Sequence, residues 1–177
     1  ALLAYSAVVG YLIYQRAGHY APASARRILE GTVARVLPAS IAVMALVSMA
    51  VVMAHAGMTQ LLAEGLAQAA GRSFPALSPW IGALGAFMTG SNTNSNVVFG
   101  QLQLQTAQLL GFSAPILLAA QTAGGAIGSV FAPSKIILGT ATAGIAGSEG
   151  EVLRRLLAYC AILLIGISLV VTMLATR

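Results

Sequence analysis

Charge along this chain comes in islands, and the intervals between them are apolar and long. Leu156 to Thr176 is 21 residues without a charge, about the ~20 that a helix needs to cross a ~30 Å hydrocarbon core. Twenty-eight uncharged residues separate Arg35 from Glu64, and within them 36–54 reads as a second full span. Residues 1–14 read as the end of a third, with Tyr5, Tyr11 and Tyr14 suited to an interface belt. In 57–73, Leu61, Leu62 and Leu66 alternate with Gln60, Glu64 and Gln68 at helical spacing. This predicts a short amphipathic helix, outside the membrane or on its outer interface.

The pattern changes between Arg72 and Lys135, where 62 residues run without a charge. The apolar piece 76–90 would reach only ~22 Å as a helix. It is followed by Gly90-Ser91-Asn92-Thr93-Asn94-Ser95-Asn96, which has no apolar side chain. A second short piece, 97–110, carries Gln101, Gln103, Gln105 and Gln108. Gln101, Gln105 and Gln108 share a helical face, which predicts a stripe turned to protein or water. Two short pieces around a polar tip predict a re-entrant hairpin over 76–110. The span 115–147 is interrupted at Gly124-Gly125, at Gly128 and at Ala132-Pro133-Ser134-Lys135, and reads as a broken helix. Irregular backbone at membrane depth is tolerated only where it lines a cavity or is buried in protein.

Arginines orient these segments. Arg16, Arg26, Arg27 and Arg35 outnumber Glu30 between the first two spans, and Arg154 and Arg155 precede the last, 153–176. The positive-inside rule makes both loops cytoplasmic. A hairpin that adds no crossing and a broken helix that adds one satisfy this parity; two shallow full crossings satisfy it too.

Composition sharpens the class. Hydrophobic residues are 58% and charged residues 7% of 177, against about 25% charged in soluble domains. A soluble globule, a disordered chain and a disulfide scaffold are excluded. The net charge of +5 is spread thinly between apolar runs, unlike a nucleic-acid-binding patch. The lone Cys160 offers no metal site, and no catalytic triad or phosphate loop is present; no cofactor is expected. The chain opens at Ala1 inside an apolar run, and we read it as the C-terminal part of a longer transporter whose N-terminal remainder completes it.

The candidate chemistry lies at the interruptions. Ser91, Asn92, Thr93, Asn94, Ser95 and Asn96 present hydroxyls and amides that can bond a carboxylate or hydroxyl, or ligate Na⁺; a polar turn in water is the plainer reading. Gly124, Gly125 and Gly128 allow close approach of a ligand, with free N–H groups for its charge, or close helix packing. Gln121 and Thr122 precede them on a turn that could face the same cavity. Lys135 either attracts an anion or snorkels to the surface. His55, near the outer end of the second span, is a candidate proton-exchanging group or an ordinary interface residue. Glu149 and Glu151 read as helix-start charges beside Arg154 and Arg155.

The run Gly85-Ala86-Phe87-Met88-Thr89-Gly90-Ser91-Asn92-Thr93-Asn94-Ser95-Asn96-Val97-Val98-Phe99, followed by Gln121-Thr122-Ala123-Gly124-Gly125, resembles the C-terminal region of the lactate permease family. The resemblance covers about Val36 to the end and is most specific over Gly85 to Gln105. It implies a multi-pass carrier of L-lactate, D-lactate or glycolate in the bacterial inner membrane, usually a proton symporter. Family members have Ser-Pro-Gln-Ser where this chain has Ala132-Pro133-Ser134-Lys135. The Ser91-Asn92-Thr93 tip also resembles hairpin tips of the wider ion-transporter superfamily, whose inverted repeats bind organic anions. The expectation is therefore an all-α polytopic membrane protein, one half of an inverted-repeat carrier rather than an enzyme. Its partners would be a small 2-hydroxy monocarboxylate, a proton or Na⁺, and the bilayer, with no nucleic acid. A Na⁺-coupled dicarboxylate carrier and a channel or non-transporting scaffold are the rival readings.

Overall fold

The computed structural model describes residues 2–20 and 24–175; the expected span limits at Ala1 and Thr176 lie outside them. Among the described residues there are helices and no strand: α1 (Leu2–Arg16), α2 (Ser24–His55), α3 (Met58–Ala70), a 3-10 turn (Gly71–Ser73), α4 (Phe74–Thr89), α5 (Asn92–Leu110), α6 (Ala114–Val130), α7 (Pro133–Thr142) and α8 (Glu149–Ala175). The chain divides into two compact units after Ala42, and α2 runs through the division.

In the first unit, α1 ends on Gly18 in the left-handed region (φ 74°). The His19 N–H reaches Tyr14 O at 3.0 Å and the Gly18 N–H reaches Gln15 O at 3.1 Å, a Schellman closure that satisfies the last carbonyls. Tyr20 then stacks on Tyr11 at 5.2 Å between ring centroids. Arg26 and Arg27 stand not in a loop, as expected, but on the first turn of α2, where Arg26 pairs with Glu30 at i,i+4. The expected span 36–54 is the later part of this 32-residue helix.

The second unit is built around α4, which packs on α5, α6 and α8. Its closest neighbour is α6, through glycine. A Cβ on Gly82 would lie 2.1 Å from Gln121 O, one on Gly124 1.9 Å from Pro79 O, and one on Gly128 2.2 Å from Ala83 O. Only glycine lets these backbones meet, the small-residue packing that holds helices together in lipid. Phe74, Ala107, Leu117, Ala120 and Val171 form one apolar cluster, and Ala83, Phe131, Ile136, Cys160 and Leu164 another. Ser168 Oγ donates to Ala76 O at 2.8 Å and accepts the Trp80 indole N–H at 3.0 Å, fastening α8 to α4.

The expected short helix within 57–73 is α3, Met58–Ala70. Leu61 is 69% and Leu62 50% exposed, while Thr59 and Ala63 are buried. The helix lies on α5 and turns Thr59 and Ala63 inward, because small residues permit close approach; Leu61 and Leu62 face outward, while Leu66 packs on the cluster around Phe74. The helices α2 and α8 are long and apolar enough to cross a membrane, and the pair α6 and α7, bent by 41°, makes a third candidate.

Candidate functional site

The tip of the α4–α5 hairpin is far shorter than the sequence suggests. Its turn is Gly90-Ser91 alone, and α5 begins at Asn92, so the asparagine-rich run forms the first turns of a helix. This corrects the expectation that the helix is interrupted over Ser91–Asn96. The physical reason is the cap. Gly90 adopts φ 71°, which closes α4 through its N–H to Ala86 O at 2.8 Å. Ser91 is extended, and its Oγ accepts the Asn94 N–H at 3.3 Å. Serine at that position is a strong helix initiator, and it overrides the turn preference of the asparagines. Thr89 supports the turn, with its Oγ1 within 2.8 Å of Gly85 O and 3.1 Å of Ser91 O.

A second correction concerns α6. Gly124, Gly125 and Gly128 lie inside a continuous helix, and the break falls only at Phe131-Ala132. Their N–H groups are therefore not a free cradle for an anion. Packing explains the glycines: without a Cβ they seat α4, and inside the helix the backbone bonds remain satisfied.

The two interruptions nevertheless meet. A Cβ on Gly90 would stand 2.8 Å from Ser134 Oγ, so the hairpin turn lies against the start of α7. Two helix N-termini, those of α5 and α7, converge there. Each carries roughly half a positive charge; at α7, Pro133 has no N–H and the Lys135 N–H bonds Ala132 O at 2.9 Å, which leaves the Ser134 N–H. No formal charge lies between Arg72 and Lys135 in the sequence, so these dipoles have no neighbouring carboxylate in the block. Lys135, the third residue of α7, is exposed beside the break.

Asn92 and Asn96 carry the unusual chemistry of the tip. Asn92 Oδ1 is buried and accepts no hydrogen bond. It occupies the space a Cβ on Gly125 would take, 2.2 Å from it. Asn96 Nδ2 donates to Thr122 Oγ1 at 3.2 Å, while Asn96 Oδ1 is likewise buried without a donor. A buried acceptor left unpaired costs about 1–3 kcal/mol, and Asn92 and Asn96 hold two of the four such side-chain oxygens among the described residues, one helical turn apart. Ser91, Asn92, Asn96, Thr122 and Gly125 are thus brought together. Thr93 is exposed and Asn94 half-buried.

Other expected residues are used elsewhere. Ser95 and Gln121 are buried and bonded to each other at 3.0 Å, with Ser95 Oγ donating to Gly82 O. His55 is exposed at the end of α2, bonded through Nδ1 to Val51 O of its own helix at 2.9 Å. Of the glutamine stripe, Gln101 and Gln108 are exposed. Gln105 and Gln108 line an open pocket of about 320 Å³ with Gln60 and Leu109. Gln103, one of the four glutamines of the second arm, bonds between helices, and sequence reasoning missed Ser78 and gave Ser134 no role beyond the break. A signal for Gln103 was present: Ser95, Phe99, Leu102, Gln103 and Thr106 follow helical spacing, and this is the face that α5 turns to its neighbours.

A capped hairpin and a bent helix pair, together with helices long and apolar enough to cross a membrane, define a polytopic helical membrane protein. The chain belongs to the L-lactate permease family, whose model matches residues 4–176. That match reaches further toward the start than the resemblance from Val36 onward. The glycolate permease GlcA of Escherichia coli (strain K12) is 44% identical over 100 residues, 56% of this chain and 18% of that protein. The L-lactate permease of Halalkalibacterium halodurans is 36% identical over 124 residues, 70% of this chain and 24% of its own. An L-lactate permease of Escherichia coli (strain K12) is 40% identical over 100 residues. The chain therefore spans about a fifth of the length of these curated relatives. No solved structure matches it. Family membership makes it a segment of a multi-pass membrane protein of this family.

Proposed function

We propose that this segment carries the substrate site of a secondary carrier for small 2-hydroxy monocarboxylates, lactate or glycolate, in the bacterial plasma membrane. The observation that carries the reading is the convergence of the α5 and α7 N-termini at Gly90 and Ser134, beside two buried amide oxygens that lack donors. A 2-hydroxy acid supplies what each part wants. Its carboxylate is an acceptor for the first-turn N–H groups and for the Ser91 and Ser134 hydroxyls, and each helix end favours an anion by about 0.3–1 kcal/mol, more when partly buried. Its hydroxyl is a donor for Asn92 Oδ1 or Asn96 Oδ1. Lys135, exposed beside the break, adds attraction at longer range. The relatives named for lactate and for glycolate share this one chemical unit, a hydroxyl next to a carboxylate.

In the membrane, 76–110 serves as a re-entrant hairpin and 115–147 as the broken span, with spans at 36–54 and 153–176 and the tip at depth. Alternating access then exposes the tip to each side in turn, with a proton as the co-transported ion. The coupling group is His55, the substrate itself or a residue of the remaining transporter.

The test is uptake into proteoliposomes by the full-length transporter carrying this segment. Labelled lactate should enter faster when unlabelled lactate is preloaded, which a channel would not show. An imposed proton gradient should drive uptake and a Na⁺ gradient should not; Na⁺ drive with competition by succinate would replace this reading with a dicarboxylate carrier. Asn92→Ala should abolish uptake with membrane abundance intact, and unchanged uptake would remove the tip from the site.

A further inference from the structure

Inside the hairpin lies a chain of amides that touches no surface. Gln103 is 0% and Gln121 1% exposed. Gln103 Nε2 donates to Ser78 O at 3.1 Å on α4 and to Gln121 Oε1 at 3.0 Å on α6. Gln121 Nε2 donates to Ser95 Oγ at 3.0 Å, back on α5. Ser95 Oγ donates in turn to Gly82 O on α4 at 2.8 Å, and Ser78 Oγ donates to Leu117 O on α6 at 3.1 Å. The chain ends at Ser95, between Asn92 and Asn96.

Stability alone is a poor account of it. The α4–α6 contact is already closed by Gly82, Gly124 and Gly128 against backbone. The amide chain is not even complete: Gln103 Oε1 is buried with no donor. An unpaired buried acceptor is a penalty that an apolar side chain of similar volume would not carry. What the amides supply is direction. Apolar packing tolerates small rotations of a helix, whereas hydrogen bonds weaken steeply off their preferred angles. Side chains of an α-helix reach about 5–6 Å from its axis, so a turn of about 10° moves their ends by about 1 Å. Sites work when their groups are held within about 0.5 Å.

We infer that Gln103 and Gln121 are positioning residues for the substrate site: through Ser95 they set the rotation of α5 and so aim Asn92 and Asn96. This rests on the reading of the tip given above. It also moves Gln121 from direct contact with substrate, where the sequence had placed it, to support of the residues that make contact.

The test is the Gln103→Leu/Gln121→Leu double variant in the full-length transporter, which removes the amides and their unpaired oxygen together and keeps their volume. Membrane abundance and the thermal midpoint in detergent should stay near those of the parent. The KM for lactate uptake should rise at least tenfold, with Vmax per molecule within about threefold. A merely structural role would lower abundance or midpoint and leave KM alone; a KM within twofold of the parent overturns the inference. If the double variant does not reach the membrane, Gln103→Met, which breaks both Gln103 bonds at nearly constant volume, is read by the same two criteria. Asn92→Ala run in parallel separates the two claims. Uptake lost in Asn92→Ala but a parental KM in the leucine variant sinks the positioning role alone. Uptake retained in Asn92→Ala sinks the site, and the positioning role with it.

Discussion

Gly124 and Gly125 adjoin in sequence and face different neighbours. A Cβ on Gly124 would meet the Pro79 backbone at 1.9 Å, and one on Gly125 would meet the Asn92 side-chain oxygen at 2.2 Å. Backbone in a packed helix pair cannot move aside, whereas an amide can rotate. Gly124→Ala should therefore cost at least the 1–3 kcal/mol typical of overpacking, seen as a lower thermal midpoint and less protein in the membrane. Gly125→Ala should fold and displace Asn92, lowering lactate uptake by tenfold or more at normal abundance. Parental uptake in Gly125→Ala would mean that the position of Asn92 is immaterial. Gly100→Ala is the control, since nothing lies within 4 Å of its Cβ. From sequence these glycines looked alike; which neighbour each meets is a matter of three-dimensional packing.

At the scale of elements, the sequence marked where helices stop better than where they start. The short piece ending at Gly90 was legible because glycine is the residue that closes a helix in the left-handed region. The start of α5 at Asn92 was not, because Asn, Ser and Gly signal both turns and helix starts; the Ser91 cap decided between them. Helix α3 was legible as a helix, but the face it packs on α5, with Thr59 and Ala63 buried, was not. Hydrophobicity ranks faces by aversion to water, and in a bilayer the closest packing goes to small residues instead. The α4–α8 contact gives a test at this scale. Trp80→Phe removes the indole donor and leaves Ser168 bonded to Ala76 O. It should cost about 0.5–1.5 kcal/mol, the net worth of one hydrogen bond. Ser168→Ala also strands the Trp80 N–H and should lower the thermal midpoint further. The reverse order would show that the indole packs rather than bonds.

For the whole molecule, the decisive quantity is the depth of the hairpin turn. Two or three helices here can span a membrane, and the hairpin accounts for much of what remains. If the turn lies within the bilayer, Thr93→Cys, exposed on the first turn of α5, should react with a small hydrophilic thiol reagent. Lactate should slow that reaction, and a bulky impermeant reagent should not reach the residue. Fast labelling by the bulky reagent, without protection by lactate, would put the turn in water and remove the basis of the carrier mechanism.

The sequence by itself determined the medium, the helical class and the stretch in which short helices replace full spans. These follow from local quantities: how many residues pass without a charge, and where glycine, proline and serine punctuate them. Only the tertiary structure decided that the hairpin turn meets Ser134, that Asn92 lies on Gly125, and that Gln103 and Gln121 are bonded to each other. Those pairs come from different helices, and which faces meet depends on how closely the backbones approach and on the rotation of each helix. Neither quantity is a property of any one segment of the chain.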